Sequence, residues 1–467
     1  MIASIAALLG LASLWALFRN NRAAFIGGFC VLFSLGYRIV DAAYVDLFGP
    51  LYAIETEKFV GGNNGTPMFV IACLTLIVPL WVVCRPGALL GAIDGPLRDS
   101  TYLRFMTNGA LGGVSATLII LYGDMLRLGT IPLLSGIDRI EYRDMAGIFH
   151  SPAYAMNFLL SAIIGIFTVL PRLRGGRYSL TFVGLFVALQ LYWALTGNRA
   201  SAFVTTATFY AIPFAAVAAM NARRLLPDAA TDMWSALVSA RVITPLAIVG
   251  GIVVLISLVL NSYYDVRGYA DPVFQMTQRI FVQPVQLWAE TWQTVHFTNV
   301  EGVNHDALNR VLLNPDDPNT NTSILYLMEQ SIGYFRTTEL FSIGQQYAGG
   351  FPEIFFEVFG AWLAVPVMLA WGVATALVLR VTISNLLRGR VLTAIMGIYV
   401  LYGFSLTYIG GMLIFLLAPS FSIKIAVLIA VYFVERSVTA YHDTSGGRVA
   451  VPRRLRPAPI YYNVKRT

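Results

Sequence analysis

The residues best suited to chemistry are four arginines that lie beside long apolar segments. Arg139 and Arg143 follow the motif GTIPLLSG, Arg199 ends the motif GNR, and Arg267 lies in the motif YYDVRGY. The planar guanidinium group binds phosphate oxygens through two parallel hydrogen bonds. A site that collects several arginines is therefore suited to a diphosphate. The structural alternative, strongest for Arg199, is an arginine that caps the carbonyl end of a helix.

Two carboxylates form a second group, in the motif YAGGFPEIFFEVFG. Glu353 and Glu357 are four residues apart, so on a helix they share one face. We expect both to face one cavity beside Gly349 and Gly350, whose missing side chains let a ligand approach the backbone. The structural alternative is that both glutamates pair with arginines and organise the chain locally.

The elements that position these residues are long apolar segments. The chain has 467 residues, of which 57% are hydrophobic and 12% charged, with a mean hydropathy of +0.68. Soluble proteins are about one quarter charged. A membrane-spanning helix needs about 17–25 apolar residues. The sequence predicts an all-α polytopic membrane protein with about eleven spans, at 2–18, 23–40, 67–84, 106–123, 152–170, 178–196, 200–220, 242–262, 356–379, 391–409 and 413–434.

The distribution of charge predicts the orientation of these spans. Placing the N-terminus outside and the C-terminus inside puts 21 of the 32 Lys and Arg residues on the inner side, against 6 of the 25 Asp and Glu residues. Basic residues favour the cytoplasmic side. The net charge of +7 then reflects contact with membrane lipids, and no nucleic-acid partner is expected.

The predicted domain organisation has three parts. Residues 1–434 form a transmembrane domain, residues 263–355 are a large insertion on the outer side, and residues 435–467 are a basic cytoplasmic tail. Trp288 and Trp292 share a helical face within the insertion. We therefore expect a helical lid on the bilayer surface, with these tryptophans at the level of the lipid headgroups.

The architecture and motifs together resemble the bacterial O-antigen/oligosaccharide repeat-unit polymerases (Wzy). The resemblance is carried by the number of spans, one large outer loop late in the chain, the GNR element, the GTIPLLSG loop with its downstream arginines, and the loop exit GGFP…FEVFG. The chain departs from that family at Asn198, where a small residue such as serine is expected, and at its loop exit, where E-x-x-x-NFG is expected. These departures leave open which of Glu353 and Glu357 matches the glutamate of the family.

The resemblance implies a GT-C-like glycosyltransferase in the bacterial inner membrane, with its N-terminus in the periplasm and its C-terminus in the cytoplasm. Its substrate is a lipid-linked oligosaccharide on undecaprenyl diphosphate, and a chain-length regulator protein is an implied partner. Such a reaction needs cations for the leaving diphosphate and a base for the attacking hydroxyl. The implied phosphate ligands are Arg199 and Arg267, followed by Arg139 and Arg143. The base candidates are Glu353, Glu357 and His305, although a turn role for His305 is the stronger interpretation.

Neither a metal nor a cofactor is predicted. Glu55 and Glu57 are similar to the spaced acids of metal-dependent lipid-linked glycosyltransferases, but an E-x-E pair is frequent by chance.

Three alternative functions stay open. An O-antigen ligase passes the glycan to lipid A core from the same kind of donor. A secondary transporter places ionisable residues in the middle of discontinuous spans, and a membrane scaffold has no need of the arginines.

Overall fold

A computed structural model describes most of the chain. The described residues are 1–91, 93, 95–135, 141–142, 145–147, 150–196, 200–226, 272–298, 302–310, 323–342, 347, 349–413 and 419–445. Within these ranges the strands are β1 (Leu51–Ala53) and β2 (Lys58–Val60), which form an antiparallel hairpin. The first helices are α1 (Ile2–Asn20), α2 (Arg22–Gly27), α3 (Phe29–Phe48), α4 (Thr66–Val83), α5 (Pro86–Leu90), α6 (Thr101–Leu128), α7 (Pro132–Ser135), α8 (His150–Ala155), α9 (Asn157–Leu173), α10 (Leu180–Leu195), α11 (Ala200–Ala211) and α12 (Phe214–Ala222).

The remaining helices belong to the insertion and to the C-terminal part of the bundle. A π-helical turn over Gln278–Val282 directly follows the helix Pro272–Thr277. The helices are α13 (Pro272–Thr277), α14 (Gln286–Thr298), α15 (His305–Leu308), α16 (Ser323–Ile332), α17 (Tyr334–Ser342), α18 (Glu353–Leu387), α19 (Val391–Gly410) and α20 (Pro419–Ser445).

The predicted all-α membrane architecture is confirmed in its main outline. The described residues are mostly helical, and six helical segments among them are long and apolar enough to cross a membrane: Ile2–Asn20, Thr66–Val83, Thr101–Leu128, Ala202–Ala222 (which runs from α11 into α12), Glu353–Leu387 and Val391–Gly410. The helices α9 and α10 are apolar but shorter. The predicted span at 242–262 lies outside the described residues.

The centre of the bundle is the contact between α4 and α18. A Cβ atom on Gly372 would collide with the backbone of Thr75, so the two helices approach closely at that point. The thiol of Cys84 donates to the carbonyl oxygen of Ala376 at 3.3 Å. The later residue on the α4 side, Cys84, contacts the later residue of α18, Ala376. The helices α4 and α18 therefore run in the same direction. The β-hairpin before α4 and the insertion before α18 therefore lie at the same end of the bundle.

The insertion packs into this end through α14. The side chain of Trp288 is 2% exposed and lies edge-on against Phe69 of α4 and Phe356 of α18, with centroid distances of 5.7 and 5.4 Å. Trp292 stacks on Trp288 at 5.8 Å. Contrary to the expectation of a residue that rests on lipid, Trp288 therefore packs between two helices. Its large indole fills the space between two helices, which removes more apolar surface from water than an interfacial position does.

The opposite end of the bundle is held by Glu435 of α20. Its carboxylate accepts hydrogen bonds from the backbone N–H groups of Leu392 and Thr393 at 3.1 and 2.8 Å, from the Thr393 hydroxyl at 2.6 Å, and from the Tyr102 hydroxyl. The first N–H groups of α19 have no partners within their own helix. Glu435 therefore supplies them from a neighbouring helix, at the end where the charge pattern also places most arginines.

Candidate functional site: a glutamate at a polar cavity

The position of the two predicted carboxylates depends on a break in α18. Gly360 has φ 69° and ψ 174°, a backbone conformation that is essentially restricted to glycine. Residues 353–359 are therefore a separate short helix that changes direction before the long apolar part begins. The break is packed closely, because a Cβ on Gly360 would lie 2.6 Å from the carbonyl oxygen of Gly302. The N–H of Asn304 also donates to the carbonyl oxygen of Val358 at 2.9 Å.

Glu353 forms a buried ion pair with Arg38. The side chains of Arg38 and Glu353 are 5% and 0% exposed. The Arg38 guanidinium donates to the Glu353 carboxylate, to the carbonyl oxygen of Phe351, and to that of Pro284 at 2.8 Å. Its Cζ atom lies 5.1 Å from the centroid of the Phe69 ring. The ion pair thus connects α3 to the insertion and to the start of α18.

The expectation that Glu353 and Glu357 face one cavity is wrong. Glu353 is the first residue of α18, and the N–H of Gly350 donates to its Oε2 atom at 3.2 Å. The side chain consequently turns back towards the start of the helix and towards Arg38. The spacing of four residues places the Cβ atoms of Glu353 and Glu357 on the same helical face. It does not fix the direction of the Glu353 side chain, because Glu353 is the first residue of the helix.

The two glycines before this helix serve chain packing. Gly349 and Gly350 are both buried and have φ values of 130° and 123°. A Cβ on Gly350 would collide with the backbone of Gly410 and Gly411, and a Cβ on Gly349 would lie 3.1 Å from the Glu353 carboxylate. The expectation that these glycines leave room for a ligand is therefore wrong, because other parts of the chain occupy that space.

Glu357 borders a polar cavity of about 590 Å³ between the insertion, the β-hairpin and the start of α18. We call this the first cavity. The volume lies within the range of about 300–1,000 Å³ that is usual for ligand sites. The residues that line it are Lys58, Phe59, Leu287, Glu290, Thr291, Gln293, Leu327, Gln330, Ser331 and Glu357.

The groups around the first cavity are held by hydrogen bonds between the hairpin and the insertion. The Lys58 ammonium group donates to the carbonyl oxygen of Ser331, and the Thr291 hydroxyl hydrogen-bonds to the Glu357 carboxylate. Gln286 of the insertion donates from its Nε2 atom to the carboxylate of Glu55, which lies on the hairpin, at 2.8 Å. Burial raises the pKa of Glu55, and the hydrogen bond from Gln286 opposes this rise. The carboxylate of Glu357 and the ammonium group of Lys58 therefore line one cavity, and hydrogen bonds between the hairpin and the insertion hold its walls together.

A second cavity of about 350 Å³ adjoins the first, because Gln330 lines both. Its lining residues are Asn304, Asp306, Asn309, Arg310, Tyr326 and Gln330. Arg310 forms an ion pair with Glu329, and its Cζ atom lies 5.3 Å from the centroid of the Tyr326 ring. Burial, followed by the charge of Glu357, raises the pKa of Tyr326 to about 12. The Tyr326 hydroxyl therefore stays protonated at neutral pH.

Of the predicted base candidates, Glu357 lines the first cavity, while Glu353 and His305 line neither the first nor the second cavity. His305 is exposed at the first position of the four-residue helix α15, and its neighbours Asn304 and Asp306 line the second cavity instead. The predicted phosphate ligands Arg139, Arg143, Arg199 and Arg267 lie outside the described residues. Within the described ranges, no group of three or more His, Cys, Asp or Glu side chains is placed to hold a metal ion.

Sequence reasoning missed three basic residues at this end of the bundle, namely Arg38, Lys58 and Arg310. A signal was present for Arg38, because it lies inside the predicted span at 23–40. An intramembrane arginine is costly unless it is paired, so an acidic partner was to be expected. Lys58 and Arg310 lie in polar segments, where single basic residues are common, and no local pattern identifies them.

Comparison with known proteins adds one finding. Residues 317–429 match the model of a family described as a family of unknown function (DUF6418). The matched segment is less than half of the chain, and it contains both Glu353 and Glu357. No curated protein and no solved structure matches the chain.

Proposed function

We propose that this protein is a membrane-embedded glycosyltransferase that polymerises oligosaccharide repeat units carried on undecaprenyl diphosphate. The observation that carries the proposal is the position of Glu357, whose carboxylate borders a polar cavity of about 590 Å³ together with Lys58. A general base must come within hydrogen-bond reach of the proton that it removes. The first cavity gives a sugar hydroxyl the room to approach Glu357.

The reaction is the displacement of a diphosphate from an anomeric carbon. The hydroxyl oxygen of the acceptor sugar forms a new bond to the anomeric carbon of the donor glycan, and its proton passes to Glu357. The bond between the anomeric carbon and the diphosphate oxygen breaks, and the lipid diphosphate leaves. Lys58 supplies positive charge at the same cavity, and we assign Arg139, Arg143, Arg199 and Arg267 to the leaving diphosphate.

The proposed setting is the periplasmic face of the bacterial inner membrane. We propose a GT-C-like arrangement of eleven spans with the N-terminus in the periplasm and the C-terminus in the cytoplasm. The first cavity then opens on the periplasmic side, where the insertion lies. The support for this orientation is the excess of arginine at the end of the bundle that is remote from the insertion.

The buried charges favour an enzyme over a secondary transporter. A transporter places ionisable side chains along a water-filled path near the middle of the membrane. The Arg38–Glu353 pair lies within helices, but its side chains are only 5% and 0% exposed. An ion pair that is sealed in this way stabilises the packing of α3 against α18, whereas Glu357, although only 8% exposed, lines a cavity beside the insertion.

A gene deletion with complementation tests the reaction. The surface polysaccharide of the deletion strain is separated on a gel, and we expect single repeat units in place of a ladder. Wild type and the control Glu339→Gln, at an exposed residue, restore the ladder, whereas Glu357→Gln does not. A complete loss of glycan from lipid A core identifies a ligase instead. A normal ladder with Glu357→Gln refutes the role of Glu357 as the base.

Cysteine labelling tests the orientation. The native cysteines Cys30, Cys73 and Cys84 are all buried, so single exposed cysteines report their own positions. A cysteine at Glu339 should react with an impermeant maleimide in intact spheroplasts, whereas a cysteine at Arg98 should react only after the membrane is permeabilised. The reverse result contradicts the periplasmic position of the first cavity.

A further inference from the structure

We propose that the second cavity binds an uncharged sugar ring through the juxtaposed polar side chains of Asn304, Asp306, Asn309, Arg310, Tyr326 and Gln330. This inference rests on the proposed function and deepens it, because it names the class of sugar and the residues that select it. Gln330 also lines the first cavity, so a ring in the second cavity belongs to the same glycan whose neighbouring ring lies beside Glu357.

The lining of the second cavity has the hydrogen-bonding character of a sugar site. Every lining residue is polar, and three of them are amides, namely Asn304, Asn309 and Gln330. An amide both donates and accepts hydrogen bonds, and a carboxylate such as Asp306 accepts them. Adjacent hydroxyl groups of a sugar ring offer the same combination of donors and acceptors. The volume of about 350 Å³ is at the lower end of the range for small-molecule sites.

The charges around the second cavity favour an uncharged ring over an acidic one. Arg310 lines the cavity, but its guanidinium is already paired with Glu329 and lies over the ring of Tyr326. Asp306 adds a further negative charge to the lining. The described charged groups therefore give a local balance of one positive against two negative charges. A carboxylate or phosphate on the ligand would meet repulsion here without a free cation to offset it.

The Tyr326 hydroxyl adds a donor to the lining of the second cavity. Its pKa of about 12 keeps it protonated at neutral pH. It hydrogen-bonds to Asn304 and lies within the electrostatic influence of Glu357. Tyr326 is thus positioned to donate to a ring hydroxyl and to fix the ring relative to the carboxylate of the first cavity.

Ligand-observed NMR on the intact protein in lipid nanodiscs tests the inference. The probes are the methyl glycosides of glucose, N-acetylglucosamine and glucuronic acid, measured by saturation transfer. We expect the neutral glycosides to bind and the glucuronide to bind at least about fivefold more weakly. Asn309→Ala and Gln330→Ala should each weaken neutral glycoside binding about fivefold, the usual effect of one lost hydrogen bond. Both residues are exposed, so these variants should fold, and Glu339→Gln is the matched control.

Releasing Arg310 provides a gain-of-function test of the same inference. Glu329→Gln removes the partner of the Arg310 guanidinium, which becomes available to a ligand carboxylate. We expect glucuronide binding to rise about fivefold in this variant while neutral glycoside binding changes little. The inference is overturned if wild-type protein prefers the glucuronide, if no neutral glycoside binds, or if Asn309→Ala and Gln330→Ala leave binding unchanged.

The same variants separate this inference from the proposed reaction. Glu357→Gln should keep neutral glycoside binding while it abolishes the polysaccharide ladder. If the ladder persists in Glu357→Gln and glycoside binding still depends on Asn309, the sugar site is supported and the proposed mechanism is wrong. If the ladder is lost but glycosides bind independently of Asn309 and Gln330, the mechanism stands and the sugar site is refuted.

Discussion

On one side of the short helix 353–359, Glu353 is completely buried and bound by Arg38; on the other side, Glu357 borders a cavity together with Lys58. The two residues have the same chemical group and are one helical turn apart. Their surroundings nevertheless assign them to different regions, one built of packed helices and one enclosed by the insertion and the β-hairpin. A carboxylate that is fully paired stabilises the fold, whereas a carboxylate beside open space can exchange a proton with a ligand.

The packed region should be the more sensitive to loss of a charge. Arg38→Met leaves Glu353 buried without its partner, and breaking a buried ion pair costs about 3–5 kcal/mol. We expect a large fall in the melting temperature of the purified protein in detergent, measured by intrinsic fluorescence. The double variant Arg38→Met/Glu353→Met, which removes both charges, should recover much of the loss. A single variant as stable as wild type contradicts the structural role of the pair.

In the region of the first cavity, a substitution should instead lower the turnover rate. Glu357→Gln keeps the size of the side chain and removes the base, so we expect kcat for polymerisation of a purified lipid-linked repeat unit to fall about 100-fold or more. Glu357→Asp retains a base at a greater distance and should lose less. The melting temperature of both variants should stay close to that of wild type. A large loss of stability in Glu357→Gln would contradict the view that Glu353 stabilises the fold while Glu357 serves the reaction.

Gly360 connects the two regions, and a substitution there should affect both. In Gly360→Ala the new methyl group meets the carbonyl oxygen of Gly302, and the backbone conformation is unfavourable for alanine. We expect a destabilisation of about 1–3 kcal/mol, measured by thermal melting, together with reduced turnover. The control is Gly109→Ala, since Gly109 lies in α6 with open space around it. Unchanged stability in Gly360→Ala would mean that the break does not need glycine.

Glu55 provides the smallest expected effect, through pH. Burial raises its pKa, so the folded state holds the proton more tightly than the unfolded state. The resulting stabilisation is complete below the ordinary pKa of a glutamate and is lost as the pH rises through the raised value. Glu55→Gln should therefore make the melting temperature depend less on pH between acidic and neutral conditions. The exposed variant Glu339→Gln should keep the wild-type dependence, and an identical profile for Glu55→Gln refutes the assignment.

Much of the fold was predictable because apolar length is a direct signal of membrane helices. The segments 2–18 and 391–409, for example, correspond to α1 and α19. The insertion was predictable from its length and polarity, but the burial of Trp288 was not. The same helical face can rest on lipid or on other helices, and the choice depends on Phe69 and Phe356, which are distant in sequence.

The site was predictable only in part. Spacing and a family resemblance made Glu357 one of three base candidates, beside Glu353 and His305, whereas its contrast with Glu353 depends on Arg38, which is 315 residues away from Glu353 in the chain. Sequence spacing places side chains on a helix but does not reveal what the rest of the protein brings to that helix. The second cavity was missed for the same reason, because Tyr326 and Asn304 come from separate segments of the insertion.

The hydrogen bonds of Glu435 have a consequence for how the protein is made. Glu435 follows Thr393 by 42 residues, so the ribosome completes α19 before it synthesises the group that binds the first N–H groups of that helix. During this interval α19 lacks the carboxylate, and its N-terminus is open to water or to the insertion machinery. A nascent chain that stops before Glu435 therefore leaves the backbone N–H groups of Leu392 and Thr393 without this acceptor.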